Sequence, residues 1–117
     1  MLTAGTPDAR ILAATSEIDA QLLISGHTHA QYDRYVGALR AANPGSVGMP
    51  YEGRPGAYWA VLGADIEHRC TAYDFEAATS RVRASGFPDA EQLVEILTQP
   101  PTPAAMIEHA ERLEFSG

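Results

Sequence analysis

Two histidines separated by one residue, His27 and His29, are the side chains with the clearest chemical potential in this sequence. They come directly after Gly26, which lets the chain turn sharply at the end of the apolar run 20–25. Neutral imidazole is a common ligand for borderline divalent cations, and residues two apart on an extended chain project to the same side. The pattern predicts a metal site, against the alternative of two histidines on an exposed loop.

Local patterns place this turn at the end of a short buried strand in an α/β fold. Thr6 as N-cap and Pro7 as first helical residue predict a helix before the strand at 20–25. Open α/β sheets bind their ligands at the C-terminal ends of strands. A segment of β character at 35–42 then leads into a turn-rich loop, residues 43–48.

The remainder of the chain predicts a hairpin followed by helices. Strands are expected at 57–62 and 66–73, with a tight turn between them. Three polar residues are expected to cap three successive helices: Asp74, Asp89 (in a capping box with Gln92) and Thr102. Their apolar stripes predict core or docking surface rather than chemistry.

Composition narrows the classes of partner. The 117 residues suffice for one small domain, and 15 acidic against 8 basic residues give a formal net charge of −7. This charge argues against nucleic-acid and anionic-membrane partners. No run reaches transmembrane length and no signal peptide is evident, so the cytoplasm is the expected location. The single cysteine, Cys70, excludes an internal disulfide and is interpreted as a small apolar strand residue.

The stretch 22–29, followed by the turn 43–48, resembles the closing half of a calcineurin-like metallophosphoesterase, with the small bacterial and archaeal phosphodiesterase-like branch most similar. The resemblance extends to three further segments, at 57–62, 73–78 and 83–88. It implies an α/β fold, namely the C-terminal half of a four-layer α/β/β/α sandwich. Residues 1–88 would form a partial phosphoesterase domain, and residues 89–117 a C-terminal helical extension.

The resemblance also implies a two-metal site that hydrolyses phosphate esters of small molecules. His27 would bind one cation and His29 the other, and the metal would be manganese, nickel, zinc or iron. A bridging hydroxide would attack the phosphorus atom in line. Five neighbouring residues are expected to shape the wall of the site: Gly26, Thr28, Asn43, Gly45 and Ser46.

The other ligand motifs of that family, Asp-x-His, Gly-Asp and Gly-Asn-His-Asp/Glu, do not occur in this chain, and no histidine precedes His27. Without a bridging carboxylate, two imidazoles would bind at most one cation, weakly. His68 is expected to pack on its strand, and His109 to lie on a solvated helix face. The chain is therefore predicted to be inactive alone, and to associate with an N-terminal partner or with itself. A non-catalytic protein-binding scaffold and a mononuclear histidine module remain alternatives.

Overall fold

Nine helices and strands follow one another along the part of the chain that the structure describes. A computed structural model describes the backbone of residues 1–115 and the side chains of residues 1–113; Ser116 and Gly117, at the end of the predicted extension, lie outside the described residues. In chain order the elements are α1 (Asp8–Ala14), β1 (Leu22–Ile24), β2 (Tyr32–Val36), β3 (Leu39–Asn43), β4 (Ala57–Leu62), β5 (Ile66–Thr71), α2 (Phe75–Ala84), α3 (Ala90–Thr98) and α4 (Pro103–Phe115). The predicted α/β class is confirmed.

Helix α1 begins differently from the prediction. Pro7 occupies the N-cap position, so the helix begins at Asp8, one residue later than predicted. No side chain caps the helix. The hydroxyl of Thr6 instead accepts a hydrogen bond from the backbone N–H of Thr3 at 2.8 Å. Thr6 is buried in this contact, so the prediction that it caps α1 is wrong. The helix is anchored through Ile11, which is fully buried.

The first sheet contains three strands in the order β1-β3-β2. β1 and β3 are parallel, with Ile24 beside Ala42, whereas β2 is antiparallel to β3. Because β1 and β3 run in the same direction, the loops that leave their C-terminal ends start side by side. These are the 26–29 loop with the two histidines and the turn-rich 43–48 loop. The sheet therefore brings together two segments that are far apart in sequence.

Strand β1 is less buried than its apolar sequence predicts. Leu22 and Ile24 are each 40% exposed, and only Leu23 between them is half-buried. A continuous apolar run is typical of a strand that is covered on both faces. Here β1 lies at the edge of its sheet, and the described residues leave much of the face bearing Leu22 and Ile24 open. The prediction of a buried strand is wrong for this reason.

Strands β4 and β5 form the predicted hairpin as a separate two-stranded sheet. Cys70 lies in β5 as expected, but its side chain is exposed. Gln31 links the hairpin to the first sheet: its Nε2 lies within hydrogen-bonding distance of the carbonyls of Pro44 (3.1 Å), Trp59 (3.1 Å) and Arg69 (3.2 Å). The hairpin is thus held against the 43–48 loop by polar contacts as well as by packing.

Two of the three predicted helix caps are confirmed. The carboxylate of Asp74 accepts from the N–H of Ala77 at 2.9 Å, and the hydroxyl of Thr102 accepts from the N–H of Ala105 at 3.1 Å. Asp89 makes no capping hydrogen bond through its side chain, because its backbone is left-handed with φ 57°. The predicted capping box at α3 is therefore wrong. In the described part of the chain, none of the helices is both long and apolar enough to span a bilayer.

Two aspartates before helices offer a matched test of these caps. Replacing a capping aspartate by alanine costs about 1 kcal/mol of unfolding free energy, so we expect that loss for Asp74→Ala. We expect Asp89→Gly to be neutral or stabilising, because glycine adopts positive φ without steric cost. Urea unfolding followed by circular dichroism measures both. Equal losses in the two variants would contradict this assignment.

Candidate functional site

The 26–29 loop holds both histidines in an unusual backbone conformation. After β1 the chain makes one more sheet hydrogen bond, from Ser25 N to the carbonyl of Ala42 at 3.0 Å. His27 and His29 then adopt left-handed φ angles of 72° and 60°. The loop is therefore not extended, and the alternation argument for a shared side does not apply. Both histidines nevertheless line one recess.

Asn43 fixes this loop to the end of β3. Its side chain is fully buried, and its Nδ2 donates to Thr28 Oγ1 at 3.1 Å and to the carbonyl of Gly26 at 3.3 Å. Its Oδ1 accepts from the N–H of Gly45 at 2.9 Å. Four of the five predicted wall residues therefore lie in one hydrogen-bonded cluster. Their assignment to the wall of a catalytic site stays a prediction.

Ser46 braces the other side of the same turn. Its hydroxyl accepts from the N–H of Met49 at 3.0 Å, and its carbonyl accepts from the N–H of Tyr58 at 3.1 Å. It does not line the recess beside the two histidines. Ser46 therefore connects the 43–48 loop to the hairpin rather than to the imidazole rings.

His68 supports the cluster from the hairpin. Its half-buried ring donates from Nε2 to the backbone carbonyl of Asn43 at 2.9 Å, which fixes the tautomer, because a carbonyl can only accept. The ring packs on its strand as predicted and lies outside the recess that His27 and His29 line. His68 therefore acts on the site through Asn43 and not directly.

Gly45 permits the close approach of the two loops. Its φ is +85°, and a Cβ placed there would lie 2.7 Å from Gln31 Cγ and 3.0 Å from Tyr58 Cβ. Both distances are shorter than normal carbon contacts. Only glycine fits this position without moving its neighbours.

His29 is the more enclosed of the two histidines. Its ring packs on Tyr51, with the centroids 5.0 Å apart, and its Nδ1 is buried without a hydrogen-bond partner among the described residues. Burial lowers the pKa of His29 below 6.5, and the nearby charge of His27 lowers it further, whereas a backbone contact at Met49 opposes the shift. Burial therefore favours the neutral ring, which is the form that binds metal ions.

The recess beside the histidines has a volume of about 250 Å³. Its lining consists of Met1, His27, His29, Tyr51, Met106, His109 and Leu113. His109 is exposed as predicted, but the sequence interpretation did not associate it with the other two histidines. His109 lies three residues after Met106 and four before Leu113, so the three share one side of α4. This spacing was the sequence signal that could have placed His109 in the recess.

The donor set is too small for a pair of metal ions. Among residues 1–113, no three His, Cys, Asp or Glu side chains lie close enough together to hold a metal ion. The recess lining contains no carboxylate. Two imidazoles can contribute to one cation, with water in its remaining positions, but they cannot offset the mutual repulsion of two. We therefore assign no catalytic step to these residues alone.

A half-buried carboxylate lies in the neighbouring loop but not in the recess. Glu52, which the sequence did not single out, accepts a hydrogen bond from the N–H of Gln31. Burial raises the pKa of this carboxyl, and the hydrogen bond from Gln31 opposes the shift. Its contact is with backbone, so Glu52 orders the loop rather than adding a donor beside His27 and His29.

Two glycines of the 43–48 loop test how tightly the loops are packed. We expect Gly45→Ala to lower the unfolding free energy by about 1–3 kcal/mol, the typical cost of overpacking, with the left-handed backbone adding to it. Gly48→Ala is the control, because a Cβ there meets nothing within 4 Å, and its change is expected to be within about 0.5 kcal/mol. Thermal unfolding compares them, and similar stabilities would refute the close packing at Gly45.

The left-handed backbone at His27 predicts an order of stability between two variants. Both His27→Gly and His27→Ala remove the imidazole, but only glycine avoids the steric cost of positive φ. His27→Gly should therefore be more stable than His27→Ala by about 1 kcal/mol. Chemical denaturation of the pair measures the difference. The reverse order would show that His27 is not left-handed in solution.

Comparison with solved structures shows where this fold occurs. The crystal structure of the hypothetical protein PH1004 from Pyrococcus horikoshii OT3 matches with a TM-score of 0.71 at 18% identity, covering 86% of this chain and 41% of that one. The crystal structure of a metallophosphoesterase from Sphaerobacter thermophilus matches with a TM-score of 0.63 at 24% identity, covering 76% of this chain and 46% of that one. The chain thus spans less than half the length of either protein.

Sequence comparison assigns the family. A search of curated proteins found no match. The family model described as the calcineurin-like phosphoesterase superfamily domain matches residues 3–67, more than half of the 117 residues. The matched region includes both the 26–29 loop and the 43–48 loop. The chain therefore belongs to the calcineurin-like phosphoesterase superfamily.

Proposed function

We propose that this chain is the C-terminal part of a metal-dependent phosphoesterase, to which it contributes His27 and His29 as metal ligands. The observation that carries the proposal is the pairing of these two rings on one recess, in a family member whose recess lacks a carboxylate. The remaining ligands would come from an N-terminal segment, either as a separate partner or as a preceding part of a longer protein. The reaction would be hydrolysis of a phosphodiester or phosphomonoester of a small molecule.

The open face of the first sheet supports this proposal. Leu22 and Ile24 on β1 are substantially exposed. Leu62 of the neighbouring hairpin, which lines the same groove as Ile24, is 56% exposed. Burying apolar area of this kind contributes roughly 25 cal/mol per Å². The unpaired edge of β1 also offers backbone groups to a further strand. A segment carrying carboxylate ligands would be stabilised by covering this face.

The electrostatic features of the recess fit a cation and an anionic substrate better than a cationic substrate. Burial lowers the pKa of His29 and so favours the neutral ring, which is the form that binds a divalent metal. Neutral nitrogen ligands leave the full positive charge of the cation available to a phosphate group. Manganese, nickel, zinc and iron are the proposed metals of the completed site.

The purified chain is expected to be inactive by itself. With manganese or nickel present, we expect no hydrolysis of bis-p-nitrophenyl phosphate or p-nitrophenyl phosphate above the rate with metal alone, because a bridging carboxylate is lacking. The assay is release of p-nitrophenol. Turnover that His27→Ala or His29→Ala abolishes would contradict inactivity. Glu91→Gln serves as the control, because this exposed residue pairs with Arg83 and does not line the recess.

The genomic DNA upstream of the first codon tests the proposed origin of the missing ligands. A reading frame there that encodes Asp-x-His and Gly-Asn-His-Asp/Glu, either in phase or displaced by a frameshift, is the expected result. An unrelated upstream gene, together with no such motif in any neighbouring gene, would instead favour a non-catalytic scaffold of the same fold.

A further inference from the structure

A second recess adjoins the one that contains His27 and His29. We call it the side pocket; its volume is about 240 Å³, and its lining consists of Tyr51, Pro101, Ala105, Met106 and His109. Three of these residues, Tyr51, Met106 and His109, also line the histidine recess. The two recesses therefore share a wall, and a group bound beside the histidines lies next to the side pocket.

Tyr51, on this shared wall, is fixed to His29 in two ways. Its backbone N–H donates to the carbonyl of His29 at 3.0 Å, and its ring packs on the imidazole with the centroids 5.0 Å apart. The side chain is only half-buried, so part of it remains accessible to a ligand. The aromatic wall of the side pocket is thus held in register with one of the two proposed metal ligands.

The lining of the side pocket suits an aromatic ring. The ring of Tyr51 and the buried thioether side chain of Met106 stand beside the small apolar groups of Pro101 and Ala105. Thioether sulfur makes favourable contacts with aromatic rings, and aromatic rings pack against one another. An apolar cavity of about 150 Å³ is large enough to bind benzene, so the side pocket has room for such a ring.

The same lining is poorly suited to polar ligand groups. Among the described residues that form it, none is Arg, Lys, Asp, Glu, Asn or Gln, and its polar side chains are Tyr51 and His109 alone. A second phosphate or a carboxylate would lack a basic partner. The polar edge of a nucleobase, or the hydroxyls of a sugar, would lose hydrogen bonds to water that this lining replaces only in part. A plain aryl group avoids these costs.

We propose that the side pocket binds the aromatic alcohol portion of an aryl phosphate ester whose phosphate lies beside His27 and His29. This inference rests on the proposed function, because the position of the phosphate assumes that the two histidines are metal ligands. It adds a substrate class, namely aryl esters rather than nucleotides or sugar phosphates. Three of the five lining residues belong to α4, so this helix takes part in substrate selection.

Nuclear magnetic resonance of the isotope-labelled full-length chain, with EDTA present, tests the pocket without any metal. We expect millimolar phenyl phosphate to shift the backbone amide signals of Tyr51, Ala105 and Met106. Glycerol phosphate carries the same phosphate group without a ring and should leave these signals in place. Adenosine monophosphate should bind about tenfold more weakly than phenyl phosphate, because its base loses hydrogen bonds to water.

Two substitutions on α4 form a matched pair for this titration. Ala105→Leu places a larger side chain in the pocket, whereas Ala104→Leu adds the same side chain outside its lining. Both positions are exposed, and leucine is a good helix former, so both variants should fold. We expect Ala105→Leu to lose the phenyl phosphate shifts and Ala104→Leu to keep them. Equal shifts in the two variants, no shifts in the wild type, or equal affinity for phenyl phosphate and adenosine monophosphate would overturn the proposal.

A separate titration with manganese reports on the proposed function. Paramagnetic broadening of the 26–29 loop signals, lost in His27→Ala, supports the metal-ligand assignment on which this inference rests. Such broadening without phenyl phosphate shifts would overturn the side pocket alone. Phenyl phosphate shifts without manganese broadening would instead contradict the metal-ligand assignment, and with it the claim that the pocket serves an ester substrate.

Discussion

The fully buried side-chain amide of Asn43 is the interaction on which the arrangement of the two loops depends. It donates to the 26–29 loop through Thr28 and Gly26 and accepts from Gly45 in its own loop. This works only because β1 and β3 are parallel neighbours, whose C-terminal ends meet at one edge. A single asparagine therefore converts a strand pairing into a fixed position for the loop that carries two histidines.

The sequence was sufficient where local chemistry decides the structure. The hairpin, the caps at Asp74 and Thr102 and the turn after β1 each follow from residues close together in the chain. The sequence was insufficient for features that depend on contacts between distant parts of the chain. The exposure of Ile24 depends on what covers the sheet, and the place of His109 depends on how α4 docks, neither of which a local pattern contains.

The backbone of the histidine loop was unpredictable for a different reason. Left-handed φ is routine for glycine but uncommon for other residues, even for histidine, which adopts it more often than most. The motif itself therefore did not predict it at His27 and His29. Strain of about 1–3 kcal/mol is stored where surrounding contacts over-determine a conformation. The hydrogen bonds of Thr28, which lies between the two histidines, supply that constraint here. The ligand candidates are thus held by their neighbour rather than by their own contacts.

Gln31, at the junction between the two sheets, lies near more hydrogen-bond acceptors than its side-chain amide has hydrogens. Gln31 Nε2 carries two hydrogens, yet three carbonyls lie at almost equal distances from it. One acceptor is always left without this donor, and exchanging which one costs little. The link between the hairpin and the first sheet therefore does not depend on any single one of the three carbonyls. Because His68 on the hairpin is bonded to the carbonyl of Asn43, whose side chain holds the 26–29 loop, the hairpin and the histidine loop share one chain of hydrogen bonds.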